Sequence, residues 1–178
     1  MRPHAFKVFG LFLGSAFSLC SASAQALDLE VARLPGLSDP NAFLPLVVEP
    51  FKLELDLSER KLTVLRAGKT FKRYPVAVGR AGWETPKGTF KVKTMFKDPE
   101  WINPFTGELI PGGDPDNPLG RRWIGFWTDG KNWAGFHGTN SVSSIGTAAS
   151  HGCVRMFEKD IEEVFEIVPL GTPVVVKP

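Results

Sequence analysis

Cysteine is scarce in this chain of 178 residues: there are two, Cys20 and Cys153. Histidine is nearly as rare, with three. No charge of one sign dominates, since the formal net is +2 and the basic residues are spread along the chain. That excludes the clustered basic footprint of a nucleic-acid binder. There is no internal repeat, no P-loop and no G-x-G-x-x-G fingerprint, so the repeat, nucleoside-triphosphate and dinucleotide architectures lose their usual signals. Residues 8–19 form the single long apolar run. It is shorter than the roughly 20 residues a membrane-spanning helix needs, and no second run supports a membrane protein.

What the chain does have is 43% hydrophobic residues, with 18 Gly and 15 Pro. That suffices for one core and excludes wholesale disorder. It favours a turn-rich, mostly β fold over a helical bundle. Arg2, His4 and Lys7 precede the apolar run, and Ala22-Ser23-Ala24 and Ala24-Gln25-Ala26 follow it. A basic start, a short apolar stretch and small-x-small sites predict a secretory signal peptide over 1–26 and an exported protein. The alternative is an uncleaved N-terminal anchor. Cleavage removes Arg2 and Lys7, leaving 19 basic residues against 19 acidic ones, so no strongly charged partner is implied. Cys20 leaves with the leader. Leu19 directly before it argues against lipid attachment, which wants a small residue there. The mature chain then keeps one thiol and makes no internal disulfide. In an oxidising compartment such a thiol persists as an inert buried group or is kept for its reactivity.

Residues 27–50 carry turn signals and no sustained period, and read as an extended lead-in. The domain is expected over 51–178. Residues 52–57 alternate apolar and polar, 61–66 form a second strand and 71–78 a third, which together predict a β-meander. Further strands are expected at 89–95, 123–127, 133–137 and 174–176. A short helix is expected at 158–167, with Ile161, Val164, Phe165 and Val168 on one side. Residues 97–120 are dense in Pro, Gly, Asp and Asn. So long a loop is an ordered flap over a site or a plain packed surface loop.

His137 and His151, the two histidines outside the leader, lie within sixteen positions of Cys153. A thiol needs a base or a positive neighbour to ionise near pH 7, and imidazole is the usual one. His151, two residues before Cys153, would stand beside it along one strand. His137 comes from a separate strand end and would face it, since cross-strand neighbours approach closely. That assigns His137 as general base and acid, and His151 to the pocket wall or to hydrogen bonding. Gly152 frees the backbone before the nucleophile, so the amides of Gly152 and Cys153 are oxyanion-hole candidates. Arg155 would bind a substrate carboxylate or lower the thiol pKa; a surface salt bridge is the plainer role. Ser150 and Thr139 would orient the imidazoles or serve ordinary turns. Two other readings of the cluster stay open: an inert thiol between core histidines, and a zinc site of His137, His151 and Cys153. The zinc reading lacks the usual ligand spacing, and no metal or cofactor is expected.

The run His137-Gly138-Thr139 followed by Ser150-His151-Gly152-Cys153-Val154-Arg155 resembles the signature of the YkuD-type L,D-transpeptidase catalytic domain. The stretches 79–90 and 117–124 are similar to other strands of that family, and coverage extends over about 51–176. The resemblance implies a mostly β fold, a mixed β-sheet or sandwich with a short helix near the C-terminus. It implies an exported enzyme of the periplasm or wall space acting on peptidoglycan stem peptides. Carried over by position, Cys153 is the acylated nucleophile and His137 its acid–base partner. The Gly138 carbonyl orients the imidazole, and His151, Gly152 and Arg155 shape the donor pocket. A hydrolase on the same scaffold and a non-catalytic wall-binding module are the competing readings.

Overall fold

The computed structural model describes residues 50–178. The predicted leader, Cys20 and nearly all of the lead-in lie outside the described residues. Strands β1 (Phe51–Asp56), β2 (Lys61–Arg66) and β3 (Lys69–Pro75) form the expected antiparallel meander. Leu53 and Leu55 of β1, with Leu62 and Val64 of β2, are fully buried, while the residues between them stay partly or fully exposed. Strict alternation thus gives this sheet one dry face.

The next elements follow in chain order. They are β4 (Val78–Gly79), β5 (Gly88–Lys91), β6 (Thr94–Lys97) and the small hairpin β7 (Trp101–Ile102) and β8 (Leu109–Ile110). After them come β9 (Arg122–Thr128), β10 (Trp133–His137), β11 (Ala148–Ser150) and β12 (Val154–Arg155). The helix α1 (Glu158–Ile167) and strand β13 (Pro173–Lys177) close the chain. One sheet has the order β3-β2-β1-β13-β5, and a second has β12-β10-β9-β6. Their inner faces meet in one core, where Phe126 packs on Phe90 and Phe136 at centroid distances of 5.6 and 5.0 Å. Ile161 and Val164 of α1 join the same core.

Two expected strands end differently. The strand expected at 71–78 stops at Pro75, and the chain leaves the first sheet. Ala77 then bridges to Arg155, and β4 runs parallel to β11. The strand expected at 89–95 is two strands in different sheets. Val92 and Lys93 form the corner, their N–H groups donating to the Thr172 and Gly125 carbonyls. Continuous apolar alternation cannot reveal such a switch, because both inner faces are equally dry. Phe126 holds the two sheets together, so Phe126→Ala is expected to cost about 3–5 kcal/mol. Urea unfolding of the variant against the parent measures it.

Candidate active site

Strand β10 is the spine of the site. It lies between β9 and β12, with Phe136 opposite Val154 and His137 opposite Arg155. Phe136 and Val154 point into the core and are fully buried. Alternation sends His137 and Arg155 to the other face. Cys153 directly precedes β12, and its thiol meets β10 at the Trp133 carbonyl and the Gly135 N–H, the latter two residues before His137. Trp123 of β9 is paired with His137, and its indole lies alongside the imidazole, with centroids 6.1 Å apart and planes 23° apart. A Cβ at Gly125 or Gly135 would come within 2.8 Å of that indole. The two small residues give the ring its bed, and its Nε1–H donates to Thr94 Oγ1 at 3.1 Å.

The turn before Cys153 is held from within. Ser150 Oγ donates to the Cys153 carbonyl at 2.5 Å and accepts the Gly152 N–H at 3.1 Å. Gly152 has φ +110°, a region costly for any side chain. Its N–H is therefore engaged, which removes it from the candidate oxyanion donors while this turn persists. The Ser150 hydroxyl shapes the loop before Cys153, its hydrogen bonds going to backbone groups. Thr139 likewise accepts the Ser141 N–H through its Oγ1 at 3.1 Å. Both hydroxyls satisfy nearby backbone groups, the commoner use of such residues in turns.

Cys153 is half-buried. Its thiol donates to the Trp133 carbonyl at 3.6 Å, and the Gly135 N–H points at Sγ. Burial pushes the thiol pKa up, against the weaker pull of the Gly135 N–H and the Arg155 charge. Arg155 thus acts in the expected direction but does not prevail. His137 is buried, and its Nδ1–H donates to the Gly138 carbonyl at 2.5 Å. Nε2 is then the unprotonated nitrogen. Burial lowers the His137 pKa to about 4; the Gly138 carbonyl opposes this and Arg155 adds to it. A raised thiol and a lowered imidazole mean that both are neutral at rest near pH 7.

His151 points elsewhere. It is exposed, its Nε2 accepts from the Arg80 guanidinium at 2.7 Å, and its ring meets Trp83 edge-on at 4.9 Å. Burial, then Arg80 and Arg155, lower its pKa. With His151 held by Arg80 and His137 Nδ1 held by Gly138, the three zinc-ligand candidates do not converge. Among the described residues no group of three His, Cys, Asp or Glu side chains is placed to hold a metal ion. Arg155 has no ion-pair partner among the described residues and lines the cleft, so the salt-bridge alternative is not what forms.

That cleft has a volume of about 800 Å³, and Trp83, Trp101, Phe105, Trp133, His151 and Arg155 are among its walls. Residues 97–120 are an ordered flap along it. Asn117 is buried and knits the flap together, donating to the Pro99 and Pro111 carbonyls at 2.8 and 3.0 Å and accepting the Leu119 N–H at 2.9 Å. Sequence reasoning missed Arg80, Trp83 and Trp123 as neighbours of the histidines. The one available signal was Gly79 with Thr85: the Gly79 N–H donates to the Thr85 hydroxyl at 2.9 Å, folding the Arg80–Trp83 loop toward His151.

The family model for YkuD, the L,D-transpeptidase catalytic domain, matches residues 50–176. The protein YqjB of Bacillus subtilis (strain 168), whose name places it among the L,D-transpeptidases, is 37% identical over 135 residues, covering 74% of this chain and 73% of that protein. The similarly named YbiS of Escherichia coli (strain K12) is 37% identical over 112 residues, 56% of this chain and 35% of that one. Among solved structures, an L,D-transpeptidase of Mycobacterium tuberculosis H37Rv superposes with TM-score 0.60 at 19% identity, covering 73% of this chain and 58% of that one. An Enterococcus faecium L,D-transpeptidase gives TM-score 0.60 at 23% identity, covering 73% and 50%. These two likenesses concern the fold, and the chain spans only 58% and 50% of the two structures.

Proposed function

This chain belongs to the YkuD family of L,D-transpeptidase catalytic domains, and from that membership we propose that it is an exported cysteine acyltransferase acting on peptidoglycan stem peptides. Cys153 attacks the carbonyl of the L-centre of the third residue in a tetrapeptide stem. His137 Nε2 accepts the thiol proton as the C–S bond forms. The backbone amide of Cys153 faces the developing oxyanion. The tetrahedral centre collapses, the terminal D-Ala leaves as an amine protonated by His137, and a thioester remains. An amine acceptor, deprotonated by the same imidazole, then takes the acyl group and frees the thiol. A thioester is reactive enough to acylate an amine, which suits a transferase.

The observation that carries this reading is the His137 Nδ1–H bond to the Gly138 carbonyl, which leaves Nε2 as the unprotonated nitrogen, with the Cys153 thiol seated against Trp133 and Gly135 of the same strand. Arg155, in the cleft wall without an ion-pair partner among the described residues, is suited to a carboxylate of the stem. The aromatic walls Trp83, Trp101 and Trp133 favour an amine over water by limiting hydration of the thioester. Incubating the protein with disaccharide tetrapeptides and weighing the products tests the assignment. Cross-linked dimers with release of D-Ala are expected. Tripeptide monomers alone would make the chain a hydrolase on the same scaffold, and recovery of unchanged donor would leave only a binding module.

A further inference from the structure

The peptide between Gly138 and Thr139 is held at both ends. Its carbonyl accepts the His137 Nδ1–H. Its N–H, on Thr139, points at the nearby Glu158 carboxylate, which accepts the Arg121 N–H at 3.1 Å. The carboxylate is wedged between two glycines: a Cβ at Gly138 would lie 2.0 Å from Glu158 Oε1, and one at Gly120 1.9 Å. Any other residue at either position would have to displace the acid. Glu158 is half-buried and lines a separate cavity of about 380 Å³ with Asp114, Arg121, Thr139 and Asn140. That cavity shares no lining residue with the substrate cleft. Glu158 thus stands outside the lining of the substrate cleft and meets the His137 side of the site at the Gly138–Thr139 peptide.

We propose that Glu158 is a positioning residue for the acyl transfer: its negative charge on the Thr139 N–H polarises the Gly138–Thr139 peptide, so that the Gly138 carbonyl holds His137 in the Nδ1–H tautomer and Nε2 becomes the stronger base. This rests on the acyl-transfer reading above. In the activated step the Cys153 S–H bond breaks, the proton moves to Nε2 and the electron pair stays on sulfur. The Nδ1 proton remains on Nδ1, and none passes to Glu158. The arrangement is an imidazole, a peptide and a carboxylate in series, with a backbone unit where serine hydrolases place a direct contact between imidazole and acid. Around Glu158 stand Arg121, Glu162 and, across the cavity, Asp114. Around His137 stand Trp123 and Arg155, and Arg155 weakens the imidazole as a base. Acting through the peptide, Glu158 offsets that effect. Burial raises its carboxyl pKa, and the two N–H donors pull it back.

An acid in the first turn of α1 also suits the helix dipole, so stability alone does not separate a plain helix-start role from this one. The separating experiment follows alkylation of Cys153 by iodoacetamide, located by peptide mapping, from pH 5 to 9, with donor kcat and KM. The full chain is compared with Glu158→Gln and Glu158→Ala. The expected result is a roughly three- to tenfold slower alkylation and kcat at pH 7 in both variants, given that one pKa unit corresponds to a tenfold change. Donor KM stays unchanged, and the acid limb moves to lower pH. If a folded Glu158→Gln or Glu158→Ala protein keeps the parent rate and acid limb, the proposal fails alone. If Cys153 of the parent is itself no more reactive than a free thiol and gains nothing from His137, the acyl-transfer reading fails and takes this proposal with it.

Discussion

Cys153→Ala loses donor turnover completely, by at least about 10⁴-fold, while the protein stays folded. The reasoning is chemical first. Alanine offers no lone pair to attack a carbonyl, and removal of a nucleophile leaves only what binding and backbone donors supply. The structural side is mild. Sγ is half-buried, and its polar contacts are the long bond to the Trp133 carbonyl and the Gly135 N–H. Losing one sulfur there should cost about 1 kcal/mol, within the range of ordinary substitutions. Product analysis by mass, with thermal unfolding of the same sample, checks both halves. Donor binding should persist in the variant, which separates loss of chemistry from loss of the cleft.

His137→Gln is expected to slow turnover by about 10²–10⁴-fold, the usual contribution of a positioned general base. The pH profile should change with it. In the parent, the His137 pKa of about 4 makes the imidazole an effective base above roughly pH 5. Activity should fall as pH drops through 4, and this limb should vanish in the variant. On the alkaline side, burial raises the Cys153 pKa, so plain thiolate reactivity should rise with pH beyond the usual thiol range. Stability should follow the same group. The unfolded imidazole takes up a proton near pH 6.5, while the buried one resists until about pH 4. Between those values the unfolded state binds more protons, so stability is lost as pH falls from 6.5 towards 4. The loss from this group is roughly 3 kcal/mol. Urea midpoints at pH 7 and pH 4.5 should therefore diverge in the parent and less so in His137→Gln.

Much of the fold is written locally in the chain. Leu53, Leu55, Leu62 and Val64 alternate because they line a one-sided sheet, and Ile161 and Val164 recur at helical spacing because one face of α1 joins the core. The cysteine and histidines were legible because such residues are rare and clustered. The sheet switch at Val92 was not, since both inner faces want the same apolar residues. Arg80 and Trp83 were missed because 71 and 68 positions separate them from His151, and only the folding of their loop brings them to it. Ser150 and Thr139 were open to two readings, orienting the imidazoles or serving ordinary turns. Their hydroxyls serve the backbone, the second of those readings, and sequence cannot rank two acceptable hydrogen-bond partners. Glu158 read as the start of a helix, which it is; its seat against Gly120 and Gly138 exists only once three segments meet.

The most direct measurement is the intact mass of the protein after brief exposure to a tetrapeptide-stem donor without acceptor amine, followed by peptide mapping. A covalent increment equal to the donor less D-Ala, carried on the peptide containing Cys153 and discharged by added amine, is the predicted result. Donor consumption with no adduct at Cys153 under trapping, and with turnover undiminished in Cys153→Ala, would contradict the account.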